Sequence, residues 1–244
     1  MSAIATMNLV KKYKNKTAVD SLSLTVEEGE LFALLGVNGA GKTTTIKMLS
    51  GLSKPTSGDA VLLGDSIVTN TQAVKQKINV SPQETAVAPN LSVRENLDLI
   101  SRIYGGSRQQ ASAKTDEMLT TFGLTETASD KAKTLSGGMQ RRLSIAMALI
   151  SNPQILFLDE PTLGLDVLAR RELWAAIEKL KGKMTIILTT HYMEEAEALS
   201  DRIGIMSKGR LTAVGTAAEL MNQTGTDKFE DAFVALATGT EVIR

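Results

Sequence analysis

The sequence predicts an α/β protein with a largely parallel central sheet, an antiparallel hairpin at its start and a helical subdomain inserted in its middle. Three observations carry this. Strand and helix signals alternate along most of the chain. Two runs, Leu31–Leu35 and Ile155–Leu158, are continuously apolar, as strands buried on both faces are. Between about residues 86 and 150 the strand signals stop and helix signals replace them.

The elements follow in order. Residues 3–13 and 17–26 read as strands joined by a turn at Lys14–Lys16. The apolar strand Leu31–Leu35 runs into a Gly-rich turn and then a helix from about Gly41 to Leu49. Pro55 makes Ser53–Gly58 a turn. Ser92-Val93-Arg94-Glu95 has capping-box spacing, and Gly105-Gly106 ends the helix it starts. A second helix runs to about Phe122, with Gly123 as its stop, and a third begins near Ser136. After the strand Ile155–Leu158, Asp166 caps a helix expected to end at Gly182. A strand over Met184–Thr190 follows, and Ser207-Lys208-Gly209-Arg210 turns a last hairpin. Residues 216–244 read as a helical tail with Phe229, Phe233 and Leu236 on one face, docked on the chain's own core.

Composition excludes several function classes. The 244 residues carry 27 Lys plus Arg against 27 Asp plus Glu, so no cationic surplus favours nucleic acid as a partner. Cysteine is absent, which excludes disulfides, thiolate metal sites and cysteine nucleophiles. His191 is the single histidine, so no multi-histidine metal site can form. The apolar runs fall well short of the roughly 20 residues that cross a bilayer, and with no basic patch before an apolar stretch at the N-terminus no signal peptide is expected. The expectation is a cytoplasmic chain that reaches a membrane only through a partner.

Gly36-Val37-Asn38-Gly39-Ala40-Gly41-Lys42-Thr43 matches the P-loop pattern. Glycines let successive N–H groups turn inward onto phosphate oxygens, and the following helix adds its positive end. Lys42 then reaches the β- and γ-phosphates, the Thr43 hydroxyl serves Mg²⁺, and Thr44 bonds another phosphate oxygen. The preceding apolar strand and following helix supply the context the pattern requires. Ile155-Leu156-Phe157-Leu158-Asp159-Glu160 is an apolar strand ending in two carboxylates. Alone it would be a strand ending in solvated acids. With a P-loop in the same chain, Asp159 is placed for Mg²⁺ and Glu160 for the proton of the water that attacks the γ-phosphate. His191 follows another apolar strand at its C-terminal end, where ligands bind in open α/β sheets. The fold class is therefore a P-loop NTPase (RecA-like) core with an antiparallel β-subdomain and the inserted helical subdomain.

Leu135-Ser136-Gly137-Gly138-Met139-Gln140 resembles the signature motif of the ATP-binding cassette (ABC) ATPases. It opens a helix with two glycines, an anion-binding arrangement in its own right. The resemblance extends over about residues 3–215, the ATPase domain, and includes Tyr13 (adenine stacking), Gln83 (Q-loop), Asp166 (D-loop) and His191 (switch histidine). It departs from the family at Met139, where the signature most often has Gln, and mildly at Gly164. It implies ATP and Mg²⁺ as cofactors, with Gln83 sensing Mg²⁺ and the attacking water, and His191 holding the γ-phosphate. It also implies a head-to-tail dimer, homomeric by expectation, in which the P-loop of one copy and Ser136, Gly137 and Gly138 of the other sandwich each ATP. Tyr13, residues 36–44 and Asp166 complete the nucleotide set; Thr43, Gln83 and Asp159 are the metal set; Glu160, His191, Gln83 and Lys42 are the catalytic set.

Within that family the sequence favours the motor subunit of a membrane transporter, acting on a separate transmembrane permease and peripheral on the inner face of the cell membrane. The alternative is a soluble repair or translation ATPase. One cassette, no coiled-coil insertion between Gln83 and Ser136, and zero net charge all weigh against it. The tail Phe229–Leu236 and the wording Thr190-His191-Tyr192-Met193-Glu194-Glu195 resemble drug- and antibiotic-exporter ATPases, so export is expected over import.

Overall fold

The computed structural model describes residues 1–239. Strands β1 (Ser2–Tyr13) and β2 (Lys16–Glu27) form the expected antiparallel hairpin, paired from Ser2↔Glu27 to Tyr13↔Lys16. Strand β3 (Leu31–Leu35) is wholly buried and leads through the Gly-rich turn into α1 (Lys42–Leu49). Next come β4 (Ser57–Leu62), β5 (Asp65–Ser66), α2 (Thr71–Lys77) and β6 (Ile78–Ser81). The expected turn therefore yields to a strand at Ser57, because β4 adds to the free edge of β1. No alternation of residue types announced β5, α2 or β6.

The helical subdomain holds α3 (Val93–Ile103), α4 (Arg108–Thr121) and α5 (Gly137–Leu149). Ser92 and Ser107 each close a capping box, and Ser136 caps α5 by accepting from the Met139 N–H. The core resumes with β7 (Ile155–Asp159), α6 (Val167–Glu178), β8 (Thr185–Thr190), α7 (Met193–Leu199), β9 (Arg202–Ser207) and β10 (Arg210–Gly215). Asp166 caps α6 as expected, but the helix stops at Glu178 rather than at Gly182. Residues 179–184 continue as tight turns, with Gly182 left-handed and its N–H donated to Gly29 O. That bond ties the turn to the segment before β3 and stops the helix early. Helices α8 (Ala217–Thr224) and α9 (Phe229–Thr238) end the described chain. Of the expected tail, residues 240–244 lie outside the described residues.

Two sheets result. The first is antiparallel, in the order β2-β1-β4-β5; the second runs β10-β9-β3-β8-β7-β6, parallel except for its edge strand β10. Alternate residues of the parallel strands serve opposite layers. Ile155 and Phe157 pack with Ile46 and Met48 of α1 beneath the antiparallel sheet, whereas Leu156 and Leu158 pack with the helical subdomain. Burying each such side chain stabilises the fold by about 1.5–3 kcal/mol. On the β3 and β9 side, Ala33, Leu35, Ile203 and Ile205 meet Phe229 and Ala232 of α9, with Phe233 and Leu236 against their rim. The tail thus docks on the core. All five parallel strands point their C-terminal ends at one rim, where the Gly-rich turn, Asp159-Glu160 and His191 meet. Among the described residues no helix is long and apolar enough to cross a membrane.

Candidate active site

The loop between β3 and α1 is shaped by its glycines. A Cβ on Gly36 would stand 2.4 Å from Met206 O, and Gly41, at φ 109°, would place one 2.5 Å from Ala18 O. Only glycine allows this close passage and left-handed turn. A cavity of about 330 Å³ opens over the loop, walled by Lys16 and Ala18 on one side and by Gln83, Glu160 and Leu163 on the other, with residues 38–44 as its floor. Lys42 is folded back: its Nζ donates to Gly36 O at 2.6 Å and Val37 O at 3.3 Å, and lies 3.2 Å from Glu160 Oε1.

The two carboxylates at the end of β7 diverge. Asp159 Oδ1 accepts from the Thr43 hydroxyl at 3.1 Å and from the Thr189 hydroxyl at 2.6 Å. Glu160 turns the opposite way, with Oε1 facing Lys42 and Oε2 3.1 Å from His191 Nδ1. Its backbone sits at φ 47°, the left-handed region that a non-glycine residue adopts only when its surroundings hold it. They do: its N–H donates to Thr189 O and Thr189 Oγ1, at 3.1 and 3.0 Å. Its carbonyl accepts from Arg141 Nη2 at 2.6 Å.

Arg141 was not legible as a site residue, yet it organises the site. Its buried guanidinium also donates to the carbonyls of Asp159 at 2.9 Å, Pro161 at 2.7 Å and Gln83 at 3.1 Å. One side chain on α5 thereby fixes the segment at Gln83 and the acidic turn together. Burial lowers its pKa, opposed by the carboxylates of Asp159, Glu195 and Glu160. The ordinary value is so high that the group stays charged. A signal existed: Arg141 lies on the same helical face as Ser144, Ile145 and Ala148, all buried. Thr189 had none, being one of three Thr in a six-residue buried strand.

Lys42, Thr43, Thr44, Gln83, Asp159, Glu160 and His191 are thus gathered at one rim. Tyr13 is half exposed beside Lys11, with Nζ 5.0 Å from its ring centre, and does not line the cavity, although its strand partner Lys16 does. Ser136, Gly137, Gly138 and Asp166 also lie off the cavity. They share a separate surface: a Cβ on Gly138 would stand 2.9 Å from the Ala169 Cβ, and the Ala169 N–H is the donor that Asp166 caps. Chemically, the loop offers N–H groups and an ammonium to phosphate. Thr43 Oγ1, Asp159 and Gln83 offer hard oxygen donors of the kind that suit Mg²⁺.

The sequence matches the family described as ABC transporter over residues 19–163, more than half of the chain. It is 44% identical over 221 residues to the linearmycin resistance ATP-binding protein LnrL of Bacillus subtilis (strain 168), covering 90% of this chain and 71% of that protein. It is also 44% identical over 226 residues to the Nod factor export ATP-binding protein I of Burkholderia orbicola (strain AU 1054), covering 91% and 74%. Among solved structures, a dimeric ATP-binding cassette in a post-hydrolysis state bound to ADP and Pi superposes with a TM-score of 0.79 at 27% identity, covering 87% of this chain and 98% of that one.

Proposed function

The chain belongs to the ABC transporter family, and from that premise we propose that it is the ATP-hydrolysing subunit of an exporter, driving a separate permease by closing as a dimer over two ATP molecules. Residues 1–215 form the ATPase unit in this reading, and 216–244 its tail. The observation that carries it is the placement of Glu160: a buried carboxylate between the P-loop lysine and the single histidine, on a backbone held in a strained conformation.

The residues divide the work. The N–H groups of residues 36–44 and the Lys42 ammonium take the phosphates. Because Lys42 faces Glu160 Oε1, an incoming phosphate and Glu160 compete for one cation. Phosphate binding so frees Glu160 to accept the proton of the attacking water. His191, held at Oε2, orients that water and the γ-phosphate. Thr43, Asp159 and Gln83 would hold Mg²⁺, which supplies charge neutralisation on the β- and γ-oxygens. Tyr13 takes the adenine.

The dimer is supported by what one copy lacks near its own P-loop. Ser136 and Gly137 are exposed and off the cavity. Beside Asp166, Val167 and Leu168 open the helix that it caps and are 64% and 73% exposed, two apolar side chains turned to solvent. For the permease, the support is the segment after Gln83, where Leu99, Ile103 and Tyr104 stand exposed on α3 and its end. Export rests on the relatives' names, linearmycin resistance and Nod factor export, and a place on the inner face of the cell membrane follows only from the proposed permease.

The test is capture from native membranes with a Glu160→Gln bait and Mg-ATP. Recovery of a polytopic membrane protein supports the transport reading. Recovery of soluble partners, ribosomes or DNA alone overturns it.

A further inference from the structure

Glu195 is a carboxyl that the hydrolytic chemistry does not use. It lies in the first turn of α7 and is 0% exposed, while Glu194 and Glu197 of the same helix face solvent. A glutamate is almost never fully buried without a partner. Its Oε1 accepts a hydrogen bond of 3.0 Å from the indole N–H of Trp174, on the helix that Asp166 caps. Its Oε2 has no partner. Neither have Thr162 Oγ1 and Arg170 Nε, and these three are the buried side-chain polar atoms so left among the described residues. They belong to one cluster, since the hydroxyls of Thr162 and Thr190 and the charge of Arg170 all act on the Glu195 carboxyl.

The cluster sits between the two arms of the hydrolytic site. Thr162 is two residues beyond Glu160. Thr190 precedes His191, and its hydroxyl accepts from the Tyr192 N–H at 2.9 Å, closing the turn that presents the histidine. Arg170 lies over the Tyr192 ring, 4.4 Å from its centre. Buried polar atoms are nearly always paired, so three unpaired ones at this junction mark a place where position outweighs local satisfaction. We propose that Glu195 is a positioning residue for ATP hydrolysis: gripped by Trp174, it locks the segment after Glu160 to the turn carrying His191 and ties both to the Asp166 helix.

The chemistry of the group agrees. Burial raises its pKa, against the nearby Thr190 and Thr162 hydroxyls, the Trp174 indole and Arg170, which lower it. The other facing charge is Arg141, from α5. The link would transmit a displacement of the Asp166 helix, on the dimer-facing surface, to the Glu160–His191 pair. The inference rests on the proposed ATPase reading.

The experiment uses the full chain, Mg-ATP turnover and a fluorescent ATP analogue for affinity. Glu195→Leu is expected to lower kcat about 10–100-fold, the scale of a slight misplacement of reacting groups, with affinity within about twofold of wild type. Glu195→Gln keeps an acceptor for the indole and a donor for the hydroxyls, and restores about half the wild-type rate or more. Trp174→Phe lowers kcat in the same sense, and adding it to Glu195→Leu costs nothing further because the two act as one unit. Trp174 is the chain's only tryptophan, so its emission shifts in Glu195→Leu and not in Glu195→Gln. A wild-type kcat in Glu195→Leu overturns the inference, as does equal loss of rate and affinity in both Glu195 variants. Should Glu195→Leu fail to fold, Trp174→Phe decides, and an unchanged kcat overturns the inference. Glu160→Gln run alongside separates the two readings. Turnover surviving there defeats the base assignment, whereas turnover lost there but intact in Glu195→Leu defeats only the positioning role.

Discussion

Lys42 and Glu160 form a buried ion pair, 3.2 Å from Nζ to Oε1, with their side chains 3% and 8% exposed. The pair joins the group assigned to the phosphates with the group assigned to the water. Lys42→Ala leaves a buried carboxylate facing only His191 and should destabilise the fold by about 3–5 kcal/mol, the cost of breaking a buried pair from one side. Urea unfolding measures it, and ATP affinity should collapse in the same variant. Full ATP affinity in Lys42→Ala would refute the phosphate assignment.

Glu160→Gln keeps the volume and a hydrogen bond to Lys42 or His191 but cannot take a proton. Turnover should fall about 10²–10⁴-fold, the usual contribution of a general base. ATP affinity should persist, and a stalled dimer should appear by size-exclusion chromatography with Mg-ATP. Wild-type turnover would remove Glu160 from the mechanism.

Arg141→Met removes the donor to the carbonyls of Gln83, Asp159, Glu160 and Pro161. Buried acceptors left without a partner cost about 1–3 kcal/mol each. A loss of stability of at least about 3 kcal/mol is expected, together with a fall in kcat as the strained Glu160 backbone relaxes. If the variant unfolds at the wild-type urea midpoint, the carbonyl network is not holding the turn.

Ser136→Ala deletes the cap of α5, worth about 1 kcal/mol, without touching the P-loop cavity. Nucleotide affinity of the isolated chain should remain while turnover is lost, because Ser136 acts on the partner's nucleotide. Loss of affinity in dilute monomer would contradict the head-to-tail reading.

Glu195 also predicts a pH dependence of stability. Its pKa is raised in the folded chain, chiefly by burial, so between the ordinary and the folded value the folded state binds the proton more tightly than the unfolded chain does. The contribution is full below the ordinary carboxylate pKa and is lost as pH rises through the folded value. Glu195→Gln does not titrate. Urea midpoints of wild type and Glu195→Gln, compared from pH about 4 to about 8, should diverge, with wild type losing ground as pH rises. A constant difference would mean that the carboxyl is not held protonated.

Much of this was written locally in the chain. The P-loop, the capping boxes at Ser92, the caps at Ser136 and Asp166, and the apolar strands Leu31–Leu35 and Ile155–Leu158 are each specified by residues within a few positions of one another. Hydrogen bonds from a side chain to the next turn, glycine at left-handed positions and unbroken apolar runs need no distant partner. That is why sequence alone named the nucleotide loop and both carboxylates and placed His191 at a strand end. The tertiary structure decided what crosses long separations. Strands β4 and β6 exist because an edge of β1 and of β7 accepts them, and β5 adds in turn to β4. The early end of α6 follows from Gly182 meeting Gly29. Arg141 reaches carbonyls 18 to 20 residues away in the acidic turn, and Trp174 meets Glu195 across 21. Nothing in local propensity encodes such pairs; packing brings them together, and burial then makes each polar group depend on the partner it finds.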